Sequence, residues 1–224
     1  MQVKFYGHAA FEISTGDTSI LIDPFISDNP LTDTLIEDLK PSHIILTHAH
    51  GDHIGDTEAI AQSSGAVIIS SFEIVNYYTA KGFTGHPMNP GGAYTFPFGK
   101  VQFTPAWHSS SFPDGSYGGM PMGVVIEAEG KRIYHAGDTA LFSDMALIGR
   151  QPLDLALLPI GDNFTMGPED AAEAVNLLKP RQVVPIHYNT FGLIEQDPQA
   201  FKQKVEQNAP ATVTILEAGG MLEL

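Results

Sequence analysis

The 224-residue chain is 43% hydrophobic and 17% charged, enough apolar material for one globular domain over residues 1–224. Its 26 acidic residues outnumber 11 basic ones, for a formal net charge of −15; such a surface repels phosphate backbones, so nucleic acid is not an expected partner. There is no cysteine for a disulfide or thiolate site, no apolar run near the ~20 residues of a membrane span, and no signal-peptide layout at residues 1–5, so no membrane association and a cytoplasmic location are expected.

Apolar alternation predicts strands over 3–6, 11–14 and 19–22. A helix is predicted over 33–39, ended by Lys40-Pro41. Residues 44–47 read as a strand and 56–64 as a short helix. A strand over 67–70 and a helix over 72–81 follow, then a loop over 87–92. Two hairpins come next: 94–98 with 101–106 around Gly99-Lys100, and 122–128 with 132–135 around Glu129-Gly130-Lys131. The remainder alternates: helix 141–148, strand 155–160, a helix opened by Gly167-Pro168-Glu169-Asp170, strand 182–186, helix 198–207 and strand 212–216. Each half is strands first, then strand–helix alternation. That order favours an α/β architecture of two mixed sheets packed face to face with helices outside. No linker or sequence repeat interrupts it, so any internal duplication rests on element order.

The chemistry concentrates in His48-Ala49-His50-Gly51-Asp52-His53. Three imidazoles and a carboxylate follow the apolar run 44–47 within six residues. Neutral imidazole and carboxylate are the ligands that divalent metals such as zinc take. Further ligand types stand just past other predicted strands: His108 after 101–106, Asp138 after 132–135 and His187 after 182–186. Glycine at 137 lets the backbone approach closely beside Asp138.

The pattern His-x-His-x-Asp-His, a later His, Gly137-Asp138-Thr139 and a last His resembles the metallo-β-lactamase-fold hydrolases. Gly7-His8-Ala9-Ala10-Phe11 and Ile22-Asp23-Pro24 resemble, more narrowly, a small cytosolic branch near the ascorbate-6-phosphate lactonases. The resemblance implies a four-layer αββα sandwich with a binuclear site in a groove at one edge of the sheets. It implies one metal on His48, His50 and His108, a second on Asp52, His53 and His187, and Asp138 bridging both. The catalytic residues are then Asp52, His53 and Asp138, with Asp52 orienting a metal-bridging hydroxide toward a carbonyl or phosphoryl centre. All-N/O ligation suits two zinc ions, with manganese, iron or nickel as alternatives.

Around this set, Asp23 fits two readings, acceptor for a ligand imidazole or turn residue before Pro24. Thr139 either bonds a metal carboxylate or caps the next helix. His8, Asn163, Thr165 and Tyr188 are candidate substrate contacts. His43, His86 and His135 read as structural. The Gly/Ser/aromatic stretch 109–121 is either a mobile flap or an ordinary loop. The expected activity is hydrolysis of a small ester, lactone, amide or phosphodiester, lactonase-like first. A phosphodiesterase or nuclease of the same fold is the alternative, disfavoured by the charge. A flavin-coupled di-iron protein would carry Glu where His50 stands. A small-molecule substrate is the expected partner, with association of like chains an open expectation.

Overall fold

Two seven-stranded sheets face each other, each antiparallel on one flank and parallel on the other. In the computed structural model, which describes residues 1–224, the first half forms β1 (Gln2–Gly7), β2 (Ala10–Thr15), β3 (Thr18–Ile22), β4 (His43–Ile45), β5 (Val67–Ser71) and β6 (Gly85–Met88). Its helices are α1 (Gly51–Ile54), α2 (Thr57–Ser64) and α3 (Phe72–Ala80). The second half forms β7 (Ala93–Phe96), β8 (Gly99–Pro105), β9 (Met122–Ala128), β10 (Lys131–His135), β11 (Leu153–Pro159), β12 (Pro180–Ile186) and β13 (Thr212–Val213). Its helices are α4 (Met145–Ile148), α5 (Pro168–Leu178) and α6 (Pro198–Asn208), and β14 (Met221–Glu223) returns to pair with β1.

The sheet orders are β14-β1-β2-β3-β4-β5-β6 and β13-β12-β11-β10-β9-β8-β7. Each has three antiparallel pairings followed by three parallel ones. The duplication hinted at by element order is therefore present in the pairing itself. Side-chain alternation explains the layers. Phe5, Phe11 and Ile22 of the first sheet meet Phe103, Val124 and Leu157 of the second in a central cluster of 22 buried residues. Ile44, Ile68 and Ile74 fill the layer under α2 and α3, and Ala156, Leu158 and Val175 the layer under α4, α5 and α6. Strands such as β11, buried on both faces from Leu155 onward, consequently read as continuous apolar runs there. The result is an αββα sandwich.

Because β2 runs against both neighbours, β1, β3 and β4 point the same way; β8, β10, β11 and β12 do so in the other sheet. Their carboxyl ends meet at one edge, where His187 N donates to the His8 carbonyl at 2.8 Å and Met122 N to that of Thr47 at 3.0 Å.

Several elements differ from expectation. The helix predicted over 33–39 is only a 3-10 turn, Ile36–Asp38. The Thr32 hydroxyl accepts the Thr34 amide at 3.2 Å, a local bond that competes with helix formation. The 141–148 helix shrinks to α4, with Ser143 and Asp144 in the preceding turn, as their side chains favour. Pro87 and Met88 belong to β6 rather than a loop; β6 is an edge strand, where a missing proline N–H is tolerated. The last predicted strand keeps only Thr212–Val213. No helix is long and apolar enough to cross a membrane.

Candidate metal centre

All seven residues of the expected ligand set converge at this edge. His48 follows β4; His50 caps α1, which carries Asp52 and His53; His108 follows β8, Asp138 follows β10 and His187 follows β12. One imidazole group is His48, His50 and His108, with ligand atoms mutually within 4.8 Å. The Asp138 carboxylate lies between this group and the rest. Its Oδ2 is 3.4 Å from His108 Nε2 and 3.1 Å from His187 Nε2, and its Oδ1 is 3.2 Å from His53 Nε2. Asp52 Oδ2 is 3.7 Å from His187 Nε2 and 3.9 Å from His53 Nε2. The side chains of His108 and Asp52 keep 13% and 28% of their surface open, so the cluster is entered from their side.

The hydrogen bonds behind the ligands fix which nitrogen faces inward. Asp23 Oδ1 accepts the Thr47 amide at 2.8 Å, and its Oδ2 accepts the Thr47 hydroxyl at 2.7 Å and His53 Nδ1 at 2.8 Å. A hydroxyl has one proton, and Thr47 gives its proton to Asp23; at 3.0 Å it therefore accepts from His48 Nδ1. His48 thus presents an Nε2 lone pair to the centre, and His53 turns Nε2 toward it, free to bind metal once that nitrogen gives up its proton, the arrangement that metal-binding imidazoles require. Asp23 fulfils both of its readings, since it also makes the turn with φ +45°. His8 and His187 share that left-handed region, at φ +56° and +54°. Each such residue stores on the order of 1–3 kcal/mol of strain, which the surrounding packing must hold.

Four buried atoms in the cluster have no hydrogen-bond partner: His53 Nε2, His187 Nδ1 and Nε2, and Asp138 Oδ1. Leaving one such group unpaired costs about 1–3 kcal/mol. Three of the four point into one cluster of nitrogen and oxygen donors, and divalent cations there satisfy them, so the residues present fit a metal site. The charge balance has two parts. Burial pushes His48 well below the ordinary imidazole value, and lowers His50 and His108 as well. Burial opposes protonation of His53 and His187 too, but Asp138 overrides it, raising His187 to about 9 and, with Asp23, His53 well above its usual value. Asp138 is held well below the carboxylate range in spite of burial, chiefly by His187 and His53, and Asp52 likewise by His187 and His8.

A family model described as the β-lactamase superfamily domain matches residues 18–188. A UPF0173 metal-dependent hydrolase from Thermus thermophilus is 56% identical over 207 residues, covering 92% of each chain. The chain belongs to the UPF0173 metal-dependent hydrolases of the β-lactamase superfamily. A Bacillus mycoides member of the family is 50% identical over 230 residues, covering the whole of both chains. Igni18, a metallo hydrolase from the archaeon Ignicoccus hospitalis, is similar in structure, with a TM-score of 0.92 and 42% identity over 100% of this chain and 98% of that one. The fold is accordingly the metallo-β-lactamase fold, and the chain is a metal-dependent hydrolase. The narrower likeness to ascorbate-6-phosphate lactonases rests on the 7–11 and 22–24 motifs alone.

Within this family framework the remaining candidates part company. His8 is wholly buried, so it is not a substrate contact. Asp52 only accepts, so His8 Nε2, 3.1 Å away, carries the proton, and Nδ1 accepts from the Thr190 hydroxyl at 2.8 Å. His8 thereby steadies Asp52. Thr139 neither bonds a metal carboxylate nor caps α4. Its Oγ1 accepts the Trp107 amide at 3.0 Å and donates to the Ala140 carbonyl at 2.8 Å, bracing the loops after β8 and β10. Tyr188 packs against the apolar layer outside the second sheet rather than the histidine cluster. Asn163 is exposed in the loop after β11, and Thr165 Oγ1 is turned to the Met166 carbonyl at 3.2 Å. His135 is satisfied by the Ala9 carbonyl at 2.9 Å and the Gly137 amide at 3.0 Å, as a structural residue should be.

The 109–121 segment is pinned. Phe112 is buried and stacks on Tyr77 of α3 at 3.9 Å, and Ser110 Oγ accepts the Ala49 amide at 3.2 Å while donating to the Gly118 carbonyl at 2.9 Å. Sequence reasoning missed Thr47 and Thr190, the hydroxyls that orient His48 and His8. Thr47 stands next to His48 and Thr190 three residues after His187, which was the only available signal.

Proposed function

We propose that this metal-dependent hydrolase is binuclear and acts on a small ester or lactone. One observation supports it most: donor atoms from three separate strand ends, β4, β8 and β12, gather on the Asp138 carboxylate at the end of a fourth, β10. His48, His50 and His108 would hold one cation and Asp52, His53 and His187 the other, with Asp138 between them. A bound pair of divalent ions supplies a water acidified toward neutral pH and polarises the electrophilic oxygen. Asp52, open on one side and steadied by His8, is placed to accept a hydrogen bond from the attacking group. The buried Asp23–Thr47 pair keeps the imidazoles from turning as charge develops. Zinc is the ion that this nitrogen and oxygen set suits. The lactone or ester preference draws on the 7–11 motif.

The test is reconstitution. Metal-free protein is loaded in turn with zinc, manganese, iron or nickel and offered lactones, aryl esters, amides and bis-p-nitrophenyl phosphate. Turnover that returns only with metal and favours lactones or esters is expected. Activity confined to the phosphodiester, or none with any metal, contradicts the proposal.

A further inference from the structure

The face around the cluster lacks cationic side chains. The segments that leave the carboxyl ends of β1, β3, β4, β8, β10, β11 and β12 span residues 8–9, 23–35, 46–56, 106–121, 136–144, 160–167 and 187–197. None of the chain's 11 lysines and arginines lies in any of them. Lys100 and Lys131 sit instead at the hairpins of the opposite edge, and Lys179 precedes β12. The same segments expose Asp28, Asp33, Asp114, Asp144, Asp162 and Glu195. A phosphate or carboxylate on a substrate is ordinarily gripped by Arg or Lys, or by free amides at a helix N-terminus. The second option is closed as well. The first turn of α5 carries Glu169 and Asp170, that of α3 carries Glu73, and the amides at the start of α6 are taken by Asp197.

What the face offers is apolar. Trp107, next to His108, is 68% exposed; Phe164 is 51% and Leu193 70% exposed. Thr139 ties two of these to the centre: its hydroxyl takes the Trp107 amide and its carbonyl the Met166 amide at 2.9 Å, so the loops bearing Trp107 and Phe164 are joined at the residue after Asp138. On the other side Phe191, 41% exposed, lies 5.5 Å from the His8 ring. Large apolar side chains left in water beside convergent polar groups mark ligand contact.

We infer that the substrate is an uncharged molecule with an apolar group of aryl or alkyl size, not a phosphorylated or carboxylated one. The inference rests on the binuclear reading for its chemistry but reads out separately, through metal-chelating probes. Zinc-loaded protein is titrated calorimetrically with benzohydroxamic, acetohydroxamic and 4-carboxybenzohydroxamic acids. Benzohydroxamic acid is expected to bind at least about tenfold more tightly than either of the others. Trp107→Ala should shrink its advantage over acetohydroxamic acid with zinc content unchanged, and Phe164→Lys should narrow the gap to the carboxylated probe. Equal or tighter binding of the carboxylated probe, no gain from the phenyl ring, or no binding of any probe overturns the inference. The predicted order of binding without turnover of any ester or lactone would leave it standing and remove the ester or lactone proposal instead.

Discussion

The two halves build the same sheet but furnish the centre differently. The first half delivers His48, His50, Asp52 and His53 from one loop and the short helix α1, within six residues. The second delivers one residue from each of three strand ends, His108, Asp138 and His187. The first set is placed by local backbone geometry, the second only by the register of β8, β10 and β12. The halves are also mixed across the two proposed metal positions. His108 completes the neutral trio begun by His48 and His50, while His187 joins His53 and Asp52, where carboxylates hold protons on the imidazoles. Neither half supplies either proposed metal set by itself, so the proposed centre requires the two sheets to be packed together.

Four experiments press on that division. Replacing the shared carboxylate has the largest effect: Asp138→Ala should abolish metal-dependent turnover and lower metal content at both positions, with the circular dichroism spectrum retained. Next, His108→Ala and His187→Ala should each leave one position filled, visible as a roughly halved metal-to-protein ratio. Equal loss of both ions in either variant would show that the two positions are not separable. Third, Asp23→Asn leaves every ligand in place but unsettles His53 and Thr47. Metal affinity should fall about 10–100-fold, the usual effect of removing such a support, and competition with a fluorescent chelator measures it. The smallest effect is graded with pH. A proton on His187, whose value is raised to about 9, competes with metal. Affinity at the His53–His187 position should therefore rise with pH below about 9 by at least about tenfold per unit, and more steeply where His53 also gives up its proton. The His48–His50–His108 position, already neutral at pH 7, should change little there. Mild acid thus empties one position first, and calorimetric titrations across pH should record proton release for that position alone.

Legibility in the sequence follows the same division. The His48–His53 run declares itself because its spacing is local. His108, Asp138 and His187 could be found only because each follows an apolar run that ends where a strand should. The paired hairpins and most parallel strands were readable for the same reason, since strands buried on both faces leave continuous apolar stretches. Edges were not. β6 contains Pro87, and β14 is three residues held by pairing with β1, so neither carries a pattern of its own. The 33–39 segment shows the converse. Its composition suits a helix, but Leu35 is exposed and only Ile36 and Leu39 reach the core, too little apolar contact to repay the ordering of one. His8 was visible as a chemical group but not in its role, because its partners Asp52 and Thr190 are 44 and 182 residues away.

The central claim is that seven side chains from both halves hold a pair of cations. Elemental analysis of protein reconstituted with zinc and freed of loose metal tests it most directly, with the His108→Ala, His187→Ala double variant measured alongside. Two ions per chain in the native protein and a clear loss in the double variant are predicted. One ion or none in the native protein, or two ions that survive both replacements, would contradict it.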